Sequence, residues 1–261
     1  METGVNSRLK IVKDNSFTHE VSGEHVLCLD LTSLEVKAGV FNHSNNALVA
    51  TLEHTGVLNG ESLLEDEIFN LEFHKILGVY HTNKSFLSSY KVEDSAFSSI
   101  FISELNGYFN YVKSDAVSVL MQRFPQSILN PFGVQFLKSA IQRNRYQKGQ
   151  KIYVHLTEKC LYLMHFSNEK LTMYSSENLA NLDESIYYIS KAIELTGFDQ
   201  LESKCYLSGS LKEEGQIHTY VKERVKNTYL NKGFKFQKSA MSLAKVQKQK
   251  YFSIINSFQC V

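Results

Sequence analysis

The chain nearly repeats itself. Residues 26–41 read VLCLDLTSLEVKAGVF and residues 151–166 read KIYVHLTEKCLYLMHF. At an offset of 125 positions, Leu31-Thr32 falls on Leu156-Thr157, Phe41 falls on Phe166, and the acid Asp30 falls on His155. After a two-residue gap, Asn45 meets Asn168, Leu48 meets Leu171, and Glu61-Ser62 meets Glu184-Ser185. Identity is low, but the order of elements is the same in both halves. A duplicated order of this kind predicts two lobes with a cleft between them. It constrains architecture far more than activity.

The elements follow from local pattern. Segments 26–32, 34–42 and 47–54 are short, rich in Val, Leu, Phe and Thr, and separated by turn residues, which predicts three consecutive strands. Asn42-His43-Ser44-Asn45-Asn46 is the clearest turn, because Asn tolerates left-handed backbone. Leu64, Ile68 and Leu71 recur at helical spacing behind the acids Glu61, Glu65, Asp66 and Glu67, predicting a helix over 61–75. Strands are expected at 76–81 and 108–112, with a short edge strand at 9–12. Helices are expected at 94–105 and 114–124, the latter ended by Pro125. Pro131 can open a further helix running to about Arg145. In the second half the same scheme predicts strands at 151–157, 160–167, 170–175 and 205–208. Helices follow over 182–196, stopped by Gly197, and over 213–230 with Ile217, Val221 and Val225 inward. The apolar end of the chain, 251–261, is expected to dock as a strand. Three strands, a helix, a strand and a helix, given twice, is an α/β pattern with mixed sheets.

Composition narrows the class. The 261 residues are 43% hydrophobic and include 17 Phe and 14 Tyr, enough for a packed core. No run of 18 apolar residues exists, so no membrane helix is expected. The N-terminal stretch lacks the features of a signal peptide. Cys28, Cys160, Cys205 and Cys260 lie far apart with no C-x-x-C spacing, which argues against zinc or a disulfide framework and for a reducing cytoplasm. Residues 222–250 hold nine basic residues and one acid, a net of +8, against −7 for the rest. That asymmetry suits either the solvated face of a helix or an anionic partner.

Three short stretches carry the functional reading. Asp30-Leu31-Thr32-Ser33 ends the first strand with an acid and two hydroxyls. His155-Leu156-Thr157-Glu158-Lys159 holds the matching place in the second half. Leu207-Ser208-Gly209-Ser210 ends a later strand in a glycine turn. The duplicated order resembles the actin-like ATPase superfamily, each of whose lobes is a ribonuclease-H-like unit. More closely, the chain is similar to a bacterial family of unknown function, domain of unknown function 3822, on length, element order and the C-terminal run YFSIINSFQCV. The resemblance implies lobes spanning 1–147 and 148–261, with the C-terminal segment docking back. Active members of the superfamily carry Asp-x-Gly-Thr in the first phosphate loop, where the acid governs the metal and glycine lets backbone amides reach phosphate. Here Thr32 stands in the glycine's place. The second loop, Asp-x-Gly-Gly-Gly-Thr, has lost its acid and its glycines. The adenosine motif keeps one glycine, Gly209. The nucleotide loops are therefore degenerate.

The cleft residues to which a nucleotide would come are Asp30, Thr32, Ser33, His155, Thr157, Gly209 and Ser210. If the lobes share a pseudo-two-fold axis, Asp30 and His155 face each other. A nuclease would need several acids on two metals, and Glu53, Glu61 and Asp66 show no pattern that selects them beside Asp30. The histidines show no metal-ligand spacing, and no catalytic motif appears. The reading is a non-catalytic cytoplasmic scaffold or interaction protein with no cofactor, whose partner is a protein or peptide. A nucleotide-binding or phosphotransfer protein is the first alternative. A nucleic-acid binder through 222–250 is the second.

Overall fold

The repeat in the sequence is a repeat of strand order. The computed structural model describes residues 8–15, 17–18, 23–32, 35–55, 67–82, 84–112, 117–118, 121–122, 124–231, 243 and 246–259. The strands are β1 (Arg8–Lys13), β2 (His25–Leu31), β3 (Glu35–Asn42), β4 (Leu48–Thr55), β5 (Lys75–Tyr80), β6 (Ser85–Ser88) and β7 (Phe97–Ile102). They continue as β8 (Gly107–Val112), β9 (Ile128–Pro131), β10 (Gln150–Leu156), β11 (Cys160–Ser167), β12 (Lys170–Asn178), β13 (Lys204–Gly209) and β14 (Asn227–Leu230). The helices are α1 (Phe132–Asn144), α2 (Leu182–Leu195), α3 (Gln216–Arg224) and α4 (Phe252–Gln259).

The chain packs as two compact units. One contains 1–81, 114–131 and 233–261; the other contains 82–113 and 132–232. The first unit holds a six-stranded sheet in the order β1-β4-β3-β2-β5-β9. The second holds a five-stranded sheet, β12-β11-β10-β13-β14, and a three-stranded sheet, β6-β8-β7. In each large sheet an antiparallel meander (β2-β3-β4, β10-β11-β12) is followed by a strand parallel to its first member. The offset of 125 maps β2 onto β10 and β3 onto β11 residue for residue.

In the second unit the sheet is covered on both faces. Ile152, Val154, Leu156, Leu161, Leu163 and Leu207 pack with Ile189 and Ile193 of α2 and Ile217 and Val221 of α3. The opposite face carries Tyr153, His155 and Tyr162, and Phe132 and Phe136 of α1 stack there. Helix α2 starts where the side chain of Asn181 accepts from the Glu184 amide and Glu184 in turn accepts from the Ala180 amide, satisfying donors that a helix start leaves open. In the first unit α4 lies on β2, β3 and β5. Tyr251, Ile254 and Ile255 pack there with Val26, Cys28, Phe41 and Leu77, and Phe258 stacks on Phe41 at 4.4 Å. Gly39 makes this approach possible, since a Cβ there would lie 2.6 Å from Ile254.

Several expectations need correction. The chain's end is helix α4 and not a strand: Tyr251, Ile254, Ile255 and Phe258 stand at i, i+3, i+4 and i+7, which gives one helical face. The expected helix over 94–105 is strand β7, turned into β8 by a 3-10 turn at Ser103–Leu105 and by Asn106 in left-handed backbone (φ 48°). The helix expected over 213–230 stops at Arg224, and Asn227–Leu230 leaves it to pair in parallel with β13. The helix over 61–75 falls partly outside the described residues; Glu67–Asn70 is a 3-10 turn. The helix over 114–124 also falls largely outside them.

Candidate functional site

Both meanders turn through the same device. In the first unit the Thr32 hydroxyl accepts from the Glu35 amide (2.9 Å) and donates to the Glu35 carbonyl (3.1 Å). In the second, the Thr157 hydroxyl accepts from the amides of Cys160 (2.8 Å) and Lys159 (3.3 Å) and donates to the Cys160 carbonyl (3.2 Å). A hydroxyl that bonds its own turn this way substitutes for backbone hydrogen bonding. Both threonines are buried. The hydroxyls expected to face a phosphate thus close the β2–β3 and β10–β11 turns. Ser33 lies outside the described residues.

Asp30 sits one residue before the end of β2, 3% exposed. Its Oδ1 accepts from His81 Nε2 at 2.8 Å, and its Oδ2 accepts from the Ser253 hydroxyl of α4. Lys37 is its cross-strand partner, and Lys37 Nζ lies 2.7 Å from Glu35. The register continues outward, Lys37 against Glu53 and Glu53 against Lys10. The row Lys10–Glu53–Lys37–Asp30 therefore alternates in charge across four strands. Glu53 accepts from Lys250 at 2.7 Å and from the Tyr251 hydroxyl.

Burial alone would raise the Asp30 pKa. The adjacent His81, then Lys37, then the Ser253 hydroxyl outweigh it and hold the carboxyl well below its usual range. Burial likewise opposes ionisation of Glu53, but the hydrogen bonds from Lys250 and Tyr251 prevail and lower its pKa. Asp30 and Glu53 share a sheet face but stand two strands apart, about 10 Å, with Lys37 between them. Among the described residues, no three His, Cys, Asp or Glu side chains converge as a metal-binding set.

His155 occupies the Asp30 position in different surroundings. It is 1% exposed, with its ring 4.1 Å from Phe132 and 5.8 Å from Phe136. Ser208 Oγ stands between two partners, 2.9 Å from His155 Nδ1 and 3.2 Å from the Val154 carbonyl oxygen. Tyr162, in the place of Lys37, is buried and accepts from the Thr82 amide; burial raises its pKa well above the usual phenol value. Gly209 has φ +93°, and a Cβ there would lie 2.0 Å from the Leu156 carbonyl oxygen. That oxygen accepts from the Ser210 amide at 2.7 Å. Thr157, Gly209 and Ser210 are thereby brought around Leu156, with His155 one residue before it.

The sequence reading chose Asp30 and missed what encloses it: Lys37, Glu35, His81 and Ser253. One signal was legible. Glu35-Val36-Lys37 puts two charges at alternate positions of an otherwise apolar strand, hence on one face. Nothing in the sequence linked them to Ser253, more than 200 residues away.

The paired sheets of like strand order define an actin-like ATPase fold, and solved structures share it. A Bacteroides thetaiotaomicron protein described as having an actin-like ATPase fold and unknown function is 12% identical, covering 82% of this chain and 93% of that one, with a TM-score of 0.66. The PilM–PilN type IV pilus biogenesis complex is 10% identical, covering 90% and 98%, with a TM-score of 0.59. Within that class, residues 110–228 match the model of a family described as a protein of unknown function, DUF3822. No curated protein matches the chain by sequence.

Proposed function

We propose that this chain is a non-catalytic interaction or scaffold protein on an actin-like ATPase fold, and that it holds a protein or peptide partner. The observation that carries the reading is the commitment of the loop residues. Asp30 is bonded on both carboxylate oxygens by His81 and Ser253, and both loop threonines close their own turns. A carboxylate must be open to a metal ion or its water to govern nucleotide chemistry. The matching loop of the second unit supplies a buried histidine packed on phenylalanine. The likeness in fold to PilM, which is seen in complex with PilN, is compatible with a protein partner; fold alone does not carry function.

The buried, unpaired thiols of Cys28, Cys160 and Cys205 suit a reducing compartment, and we place the protein in the cytoplasm. Among the described residues no helix is long and apolar enough to cross a membrane.

Calorimetric titration with magnesium and ATP, with AMP, GTP and metal-free controls, tests the reading. The expected result is no saturable heat at millimolar nucleotide. Saturable binding that requires magnesium and weakens in Asp30→Asn, with that variant still folded, would overturn it in favour of nucleotide binding or phosphotransfer.

A further inference from the structure

A ladder of three tyrosines crosses the five-stranded sheet of the second unit. Tyr153, Tyr206 and Tyr229 are successive cross-strand partners on β10, β13 and β14. Their rings stack at 5.0 Å and 17°, then at 5.6 Å and 27°. These separations approximate the spacing between neighbouring strands. Exposure rises along the ladder: Tyr153 is 2% exposed, Tyr206 is half-buried, and Tyr229 is 45% exposed. Strand β14 ends the sheet, and among the described residues no strand lies on its outer side.

The outer side of β14 has a backbone polarity that can be assigned. The Asn231 amide donates to the Leu207 carbonyl, so residues 227, 229 and 231 turn their backbone groups toward β13. Alternation along a strand then turns the amides and carbonyls of Thr228 and Leu230 outward. An edge of this kind is a template for another strand.

The ladder is flanked by cations on its own face. Lys204 stands two residues before Tyr206 on β13, is exposed, and pairs with Asn227 in the register. On the other side of the row, Arg143 donates to Asn231 at 2.7 Å. Its charge is felt by both Tyr153 and Tyr206. The matching row of the first unit, Cys28–Leu77–Ile128, is apolar and carries neither ring nor charge.

We propose that the edge of β14 receives an extended peptide as a sixth strand. The peptide carries an aromatic side chain that stacks on Tyr229, with acidic side chains two residues before and after it. The aromatic residue falls where the next rung of the ladder would stand. The acids fall on the rows of Lys204 and of Asn231 with Arg143. This names a surface and a partner chemistry for the interaction role proposed above, and it rests on that reading.

The test is a displayed random peptide library selected on the full-length protein, with retained peptides measured by fluorescence anisotropy. The expected result is recovery of acidic-x-aromatic-x-acidic peptides. Their affinity should fall about tenfold in Tyr229→Ala, the loss of one aromatic contact with its buried area, and persist in Tyr229→Phe. N-methylation of the peptide amides that face β14 should abolish binding without touching the protein. Circular dichroism checks that each variant is folded.

Recovered peptides that lack this pattern, or that bind Tyr229→Ala as well as the parent, overturn the surface and leave the interaction reading standing. Binding of oligothymidylate that is lost in Tyr229→Ala, with no peptide recovered, replaces the proposal with a nucleic-acid platform. Magnesium-dependent ATP binding sinks the non-catalytic reading without moving the peptide result.

Discussion

The same register position in two sheets of the same strand order is filled in opposite ways. In the first unit the row reads Lys10, Glu53, Lys37, Asp30, an ionic sequence across four strands. In the second the positions that match Glu53, Lys37 and Asp30 are Ser176, Tyr162 and His155, a hydroxyl and two rings. The covering helices differ to match. Helix α4 brings Ser253 to Asp30, and the turn before it brings Tyr251 and Lys250 to Glu53. Helix α1 brings Phe132 and Phe136 to His155. A buried charge stripped of its partner is costly, whereas a buried ring asks chiefly for contact. The duplicated backbone therefore does not dictate the chemistry of its own face; each row and its helix form a matched pair.

The contrast can be broken most directly at Lys37. Lys37→Met leaves Asp30, Glu35 and Glu53 on one face without their central cation, and should cost about 3–5 kcal/mol in urea unfolding. Tyr162→Phe at the matching position removes the hydroxyl that accepts from the Thr82 amide and should cost about 1 kcal/mol. Equal losses would dissolve the distinction between the rows.

Next in size is Gly209→Ala. A side chain at φ +93° and against the Leu156 carbonyl should cost about 3 kcal/mol, read from the same unfolding curves. Tyr80, at the matching register, needs no such freedom. The substitution thus probes the fold of the second unit, and a bulky residue at Gly209 is no clean test of nucleotide binding. Ser253→Ala should cost about 2 kcal/mol, the loss of a hydrogen bond to a charged group. It should also speed amide exchange in α4 while leaving α1 unchanged.

The smallest effect is in the pH dependence. The Asp30 carboxyl is held low in the folded protein, so its stabilisation is complete above 3.8 and is lost as pH falls through the folded pKa. His165 is different: burial lowers its pKa below 6.5. The unfolded chain therefore takes up that proton first, and stability declines as pH falls below 6.5. Amide exchange should show the second unit loosening at the milder pH. His165→Gln should flatten that limb, and Asp30→Asn the more acidic one. A decline that begins at the same pH in both variants would remove His165 as its source.

Sequence alone carried the architecture, because strands and meanders are written in local alternation and turn residues. The offset of 125 found β2 against β10 and β3 against β11, and Gly197 marked where α2 stops. The family resemblance was legible for the same reason: order of elements survives where identity does not. Three features were decided only by tertiary structure. The apolar end of the chain became helix α4, because its helical face found Gly39 and Phe41 in the first unit. The segment 94–105 became a strand by pairing with β8. The candidate loop residues lost their freedom to distant or local partners: Asp30 to His81 and Ser253, and the two threonines to their own turns. A residue's type tells which interactions it can make. Whether any is left over for a ligand depends on contacts between residues far apart in the chain, and only folding brings those together.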